Sequence, residues 1–327
     1  MEKSELSEQA LQAAHRAVQN LREQIITVMV GQASVVEQVL ISLFAAGHVL
    51  IEGVPGLGKT LLVRALARGC SATFSRIQFT PDLMPSDITG HAMFDAKSET
   101  FKIRRGPIFT NLLLADEINR APAKTQAALL EVMQEQQVTI EGKAMPMSLP
   151  FMTLATQNPI EQEGTYPLPE AQLDRFLLKI LIGYPSAQDE AALVRAVTES
   201  QVGDTINVDA VRPVLSAEDV IKLQQVAARL RVDERVLDYA VSIVRRSRDW
   251  PGILVGAGPR GGIALVRAAR AAALLNGLDF VTPDDVKRVV LPALRHRIVV
   301  SPESEIEGQD ADALLGAIVE QIDAPRT

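Results

Sequence analysis

Apolar residues recur at three- and four-residue spacing near the start of the chain, at Leu11, Ala14, Val18, Leu21 and Ile25, which predicts an amphipathic helix with one buried face. The texture then changes. Residues 34–46 are almost wholly apolar and predict a buried helix, and His48-Val49-Leu50-Ile51-Glu52 reads as a short strand running into a glycine-rich turn. Three later apolar runs, 111–115, 151–156 and 176–182, resemble buried parallel strands, each separated from the next by helical or loop sequence. Such alternation predicts an α/β fold, a parallel sheet with helices on both faces.

Two stretches interrupt that pattern. Residues 87–105 contain Gly90 and the alternating Thr100-Phe101-Lys102-Ile103-Arg104, consistent with an inserted β-hairpin or with a long loop. Residues 137–149 predict a second hairpin around Glu141-Gly142-Lys143. Beyond Gly183-Tyr184-Pro185 the strand signals cease. Ser216-Ala217-Glu218-Asp219 has the form of a capping box, and Thr282-Pro283-Asp284-Asp285 places a cap before a first-turn proline and two acids. A boundary near residue 185 is expected, dividing a sheet-bearing unit, 1–185, from an all-α unit, 186–327.

Composition narrows the class. In 327 residues, 47% are hydrophobic and 22% charged, the balance of a well-cored globular protein. No uncharged apolar run reaches the roughly 18 residues of a membrane helix, and Met1-Glu2-Lys3-Ser4-Glu5 is too acidic and polar for a signal peptide, so the expected compartment is the cytoplasm with no membrane insertion. The single cysteine, Cys70, offers neither an internal disulfide nor a thiolate metal cage and reads as a core residue. The histidines at 15, 48, 91 and 296 lack ligand spacing. A net charge of −7 argues against a nucleic-acid surface spread over the whole molecule.

The candidate chemistry begins at Gly53-Val54-Pro55-Gly56-Leu57-Gly58-Lys59-Thr60, which fits G-x-x-x-x-G-K-[ST] between a strand and a helix. There the glycines let backbone N–H groups curl around phosphates. Lys59 reaches the outer phosphates, the Thr60 hydroxyl binds Mg²⁺, and the helix running on through Leu61 aims its positive end at the anion. Asp116-Glu117 follow the apolar Leu112-Leu113-Leu114-Ala115, so the acids emerge at the end of a buried strand, where open α/β sheets place ligands. Asp116 is the candidate to hold Mg²⁺ through its water, and Glu117 the candidate to polarise the attacking water. Asn158, in Ala155-Thr156-Gln157-Asn158-Pro159, offers a neutral amide that orients water, against the simpler reading of a turn. Arg175, in Leu173-Asp174-Arg175-Phe176, is either a surface partner of Asp174 or a finger that stabilises phosphoryl charge.

In their order and spacing these segments resemble the AAA+ ATPases, and more narrowly the MoxR family. The resemblance is densest over Ala115-Asp116-Glu117-Ile118-Asn119-Arg120-Ala121-Pro122, from Ala155 to Phe176, and over Val281-Thr282-Pro283-Asp284-Asp285-Val286. It implies an αβα P-loop domain with a helical lid, a homo-oligomeric ring, usually hexameric, and ATP with Mg²⁺ bound between subunits, so that Arg175 acts on a neighbour's nucleotide. It also implies that Val30-Gly31-Gln32 lies along the adenine and that Arg260, in Gly258-Pro259-Arg260, is the lid's sensor-2 arginine. The two hairpin stretches match the helix-2 insert and the pre-sensor-1 hairpin of that clade. Gly261-Gly262 depart from it, since better helix formers are expected after Arg260, and Lys102-Ile103-Arg104-Arg105 is more basic than expected.

The resemblance implies a chaperone that remodels or activates a client protein, with a von Willebrand factor A-domain protein as partner. A nucleic-acid motor is the alternative that Lys97, Lys102, Arg104, Arg105 and Arg245, Arg246, Arg248 would support, although an aromatic content of 4% leaves few stacking platforms. A chelatase-type subunit for metal insertion uses the same nucleotide chemistry.

Overall fold

Five parallel strands form the central sheet, in the order β2 (Phe74–Gln78), β5 (Leu112–Asp116), β8 (Met152–Gln157), β1 (Val49–Glu52), β9 (Leu178–Leu181). The computed structural model describes residues 7–159, 164–198 and 208–325; Met1 to Glu5 and Ile160-Glu161-Gln162-Glu163, within the stretch of densest resemblance, lie outside the described residues. Side chains alternate across the sheet. Val49 and Ile51 of β1 and Leu112 and Leu114 of β5 enter one core, while Leu50, Leu113 and Ala115 enter the other. Burial on both faces is why β1 and β5 are apolar up to their last residue.

Helices α1 (Glu8–Ile26), α2 (Ala33–Phe44) and α3 (Lys59–Gly69) contribute to the first core, and α4 (Pro85–Thr89) and α5 (Ala123–Glu135) to the second. The buried residues of α1 are Leu11, Ala14, Val18, Leu21 and Ile25, the stripe read from spacing alone. Both inserts are hairpins. β3 (Gly90–Asp95) pairs antiparallel with β4 (Thr100–Arg105), and β6 (Gln137–Ile140) with β7 (Lys143–Pro146), the latter turning on Glu141 and Gly142, both at positive φ (48° and 74°) as a two-residue turn requires. On the first hairpin Lys102 pairs with Asp95, and the Arg105 guanidinium lies 5.1 Å from the Phe109 ring centre.

After the four-residue α6 (Glu170–Leu173) and β9 the chain continues as α7 (Ala187–Thr198), α8 (Ala217–Arg229), α9 (Glu234–Arg246), α10 (Pro259–Leu275), α11 (Pro283–Leu294), α12 (Pro302–Ile306) and α13 (Ala311–Gln321). The capping boxes at Ser216/Asp219 and Thr282/Asp285 are both formed. A short antiparallel ladder, β10 (Ile253–Val255) with β11 (Val299–Val300), interrupts this helical region and is not expected from the sequence. Three residues paired with two give too short an apolar run to stand out. Gly261 and Gly262 lie inside α10, which begins at Pro259. A Cβ at Gly261 would stand 3.0 Å from Leu294 Cδ2, so the missing side chain lets α10 approach α11 closely. Cys70 is buried, and burial pushes its thiol up to about 12, in keeping with a packing role. Among the described residues no helix is long and apolar enough to cross a membrane.

Candidate functional site

The C-terminal ends of the strands bring distant residues into one row. Register pairs Gln78 with Asp116 and Glu52 with Gln157, so Gln78, Asp116-Glu117, Gln157-Asn158 and Glu52-Gly53 stand side by side along one edge. Gly53 to Thr60 leave that edge as the loop into α3, with Gly56 and Gly58 at positive φ (86° and 78°). A Cβ at Gly53 would stand 2.5 Å from the Ile182 carbonyl oxygen, so only glycine lets this loop pass the end of β9. Nothing lies within 4 Å of where a Cβ on Gly56 would project, leaving an open backbone concavity at a helix N-terminus that suits a phosphate chain. Lys59 donates to the Gly53 carbonyl; burial lowers its pKa, opposed by the nearby charges of Asp116, Glu117 and Glu52.

Thr156, overlooked in the sequence, organises the two acids. Its hydroxyl donates to Asp116 Oδ1 (2.6 Å) and accepts the Glu117 N–H (2.8 Å). Glu117 is held left-handed, at φ 55° and ψ 50°, a conformation costing a non-glycine residue about 1 kcal/mol or more. That turn points its carboxylate at Gln78 Nε2 (2.7 Å) and Arg120 Nη1 (3.0 Å). Asp116 Oδ2 accepts Arg76 Nη2 at 2.6 Å. Arg76 and Gln78 both come from β2, which the sequence reading missed because an edge strand with one wet face, Phe74-Ser75-Arg76-Ile77-Gln78, carries no apolar run. Asn158 is buried just past β8, between the ends of β5 and β1. Among the described residues no group of three or more His, Cys, Asp or Glu is arranged so that it could hold a metal ion. A hard cation at Thr60 and Asp116 would thus complete its oxygen shell with phosphate and water, as Mg²⁺ commonly does.

Beside the loop, a cavity of about 230 Å³ is lined by Val30, Gln32, Pro55 to Gly58 and Leu61, together with Met29, Tyr184 and Leu193. Gln32 Nε2 donates to the Gly183 carbonyl (3.0 Å), and Gly31, at φ 74°, packs where a Cβ would meet Asp189 at 2.7 Å. The predicted adenine segment is therefore next to the phosphate loop. Tyr184 and Leu193 lie beyond the last core strand, in a region that offers no motif.

Arg175 and Arg260 are elsewhere. Arg175 precedes β9, at the N-terminal end of a strand parallel to β1, so about 13 Å of strand and its flanking residues separate it from the loop of its own chain. Its Nη1 donates to the Leu130 carbonyl of α5 (2.6 Å). Arg260 lies 3.6 Å from Asp174 Oδ2, and both arginines line a second cavity of about 380 Å³ with Arg267 and Arg297. The candidate residues thus form two separate groups, a loop-and-carboxylate half and an arginine half.

The model of the ATPase family associated with various cellular activities (AAA) matches residues 48–178, and that of the AAA lid domain matches residues 245–318. Chaperone MoxR1 of Mycobacterium tuberculosis is 44% identical over 312 residues, covering 91% of this chain and 80% of that one. The chain belongs to the MoxR family of AAA+ ATPases. An uncharacterised Bacillus subtilis protein, YeaC, is 47% identical over 303 residues, 93% of each chain. The crystal structure of a candidate ATPase from Cytophaga hutchinsonii superposes with a TM-score of 0.88 at 38% identity, covering 97% of both chains. Membership in this family implies that the chain binds nucleotide.

Proposed function

We propose that this MoxR-family protein is an ATP-hydrolysing chaperone that works as a homo-oligomeric ring, hexameric by family habit, and remodels or activates a partner protein. The observation that carries the reading is the separation of the two arginines from the loop and carboxylates. A half-site that ends in an open concavity, and an arginine cluster at the other end of the same sheet, are parts that a second copy would join. The division between ATPase core and lid is placed near residue 185, and the working compartment is the cytoplasm.

Within one subunit, backbone N–H groups of Gly53 to Thr60 and the Lys59 ammonium bind the phosphates, and Val30-Gly31-Gln32 with Leu61 flank the base. Thr60 and Asp116 would hold Mg²⁺, which neutralises developing charge on the phosphoryl oxygens when bound. Glu117 takes the proton of the attacking water, and the Asn158 amide orients that water. Arg175 and Arg260 of the neighbouring subunit stabilise the transferred group. The chaperone reading draws on the name of the mycobacterial relative, and a von Willebrand factor A-domain protein is the partner class proposed from the family resemblance.

Purified protein with Mg²⁺ should convert ATP to ADP, and Glu117→Gln protein locked with ATP should retain a folded protein partner that the ADP form releases. A hydrolysing protein whose ATP and ADP forms retain identical sets would remove the chaperone assignment and leave a bare ATPase. Thr156→Val keeps the shape of the side chain while deleting the hydroxyl that joins Asp116 to Glu117. Turnover is expected to fall about 10- to 100-fold, the usual effect of losing a hydrogen bond that orients a metal-holding carboxylate. The Mg²⁺ concentration giving half-maximal rate should rise with it; an unchanged Mg²⁺ dependence would count against Asp116 as the holder.

A further inference from the structure

The segment that carries Arg175 is gripped by the lid. Strand β9 is an edge strand, paired with β1 on one side only, and three consecutive residues after α11 reach the backbone carbonyls of β9 and of the segment leading into it. Arg295 Nη1 donates to the Lys179 carbonyl (3.2 Å), and His296 Nε2 lies 3.1 Å from the Phe176 carbonyl. Arg297 contributes most. Its Nε donates to Asp174 Oδ1 (2.8 Å), its Nη2 to the carbonyls of Phe176 (2.6 Å) and Asp174 (3.2 Å), and its Nη1 to that of Leu177 (3.1 Å). The Arg297 side chain is only 4% exposed.

Asp174 is shared. While Oδ1 receives Arg297 from the end of α11, Oδ2 faces Arg260 at the start of α10. Two lid elements therefore meet on the carboxylate next in sequence to Arg175. Covering an edge strand does not require this, because a buried cation is costly to desolvate and a well-packed apolar side chain commonly stabilises as much. A planar fork bound to one carboxylate and three carbonyls of the 174–177 segment, and to the Ala293 carbonyl of α11, instead fixes orientation.

We infer that Arg297, acting through Asp174, is the positioning residue for the arginine half of the site, holding Arg175 and Arg260 in fixed relation and making finger segment and lid one body. The orientation of a subunit's lid then sets where its two arginines stand against the next subunit's nucleotide. This rests on the reading of Arg175 as a finger acting across an interface.

The test uses Asp174→Asn, which removes the charge but keeps size and a carbonyl acceptor, and Arg297→Lys, which keeps the charge but loses the fork. Each is assayed for ATP turnover alone and mixed with Lys59→Ala subunits, with Arg175→Ala as reference. Both variants should lose about 10²-fold in kcat, the scale of a small misplacement of reacting groups. KM for ATP should stay near that of the wild type, because the phosphate loop lies at the far end of the sheet. Lys59→Ala partners, which carry intact arginines, should restore turnover. Wild-type kcat in both variants, or a loss that Lys59→Ala cannot complement although it complements Arg175→Ala, would overturn the inference and leave the finger standing. A raised KM with unchanged kcat, or failure of both variants to fold, would overturn it too, showing a binding or purely structural role. An active Arg175→Ala protein would instead remove the reading beneath it.

Discussion

Glu117→Gln is expected to lower ATP turnover by about 10²- to 10⁴-fold, the range over which a positioned general base contributes, while nucleotide still binds. The substitution suits the geometry. Glu117 Oε2 accepts from Gln78 and Arg120, and a glutamine carbonyl can accept the same two donors, so the left-handed turn and its contact with Thr156 survive. What glutamine cannot do is take a proton from water. The loss should thus fall on kcat, measured at saturating ATP, with the affinity for a fluorescent ATP analogue and the thermal midpoint near those of the wild type. Equal rates for the two proteins would sink the hydrolytic role of Glu117. Equal loss of rate and of binding would point instead to a collapsed loop. Gln78 and Arg120 also make the resting position of Glu117 one that reaches sideways along the sheet edge, so a substrate-bound site must compete with those hydrogen bonds before the carboxylate can serve.

Much of this site is legible in the sequence because its residues are local. The phosphate loop needs glycines, a lysine and a threonine in consecutive positions between a strand and a helix, and Asp116-Glu117 need only an apolar run before them. Helix α1 and the capped starts of α8 and α11 are legible for the same reason, since periodicity and caps are short-range signals. The other contributors are created by register. Thr156 matters because β8 lies beside β5, and Arg76 and Gln78 because β2 lies on the other side of β5; no spacing along the chain announces either neighbour. Arg297 is more remote still, meeting Asp174 across 123 positions. Arg260 is legible as a residue at a helix start, but its grouping with Arg175 rather than with the phosphate loop depends on where the lid packs.

Arg175→Ala should reduce turnover by about 10³-fold or more, the scale on which an arginine finger acts, and mixing with Lys59→Ala protein should restore part of it. Neither protein alone has a complete site. In a mixed ring, however, an Arg175→Ala subunit keeps its own loop, Asp116 and Glu117, and receives an intact arginine from a Lys59→Ala neighbour. The geometry makes this outcome specific to an interface, since β9 and its flanks stand between Arg175 and the loop of the same chain. An arginine acting within its own subunit would give no recovery at any mixing ratio. A stability defect cannot mimic the result. In the isolated subunit Arg175 donates to the Leu130 carbonyl, and losing such a bond costs only about 1 kcal/mol. That same contact competes with a neighbour's phosphate for the Arg175 guanidinium. Its release is then a step that assembly itself has to drive, so recovered activity should rise with protein concentration as well as with mixing ratio.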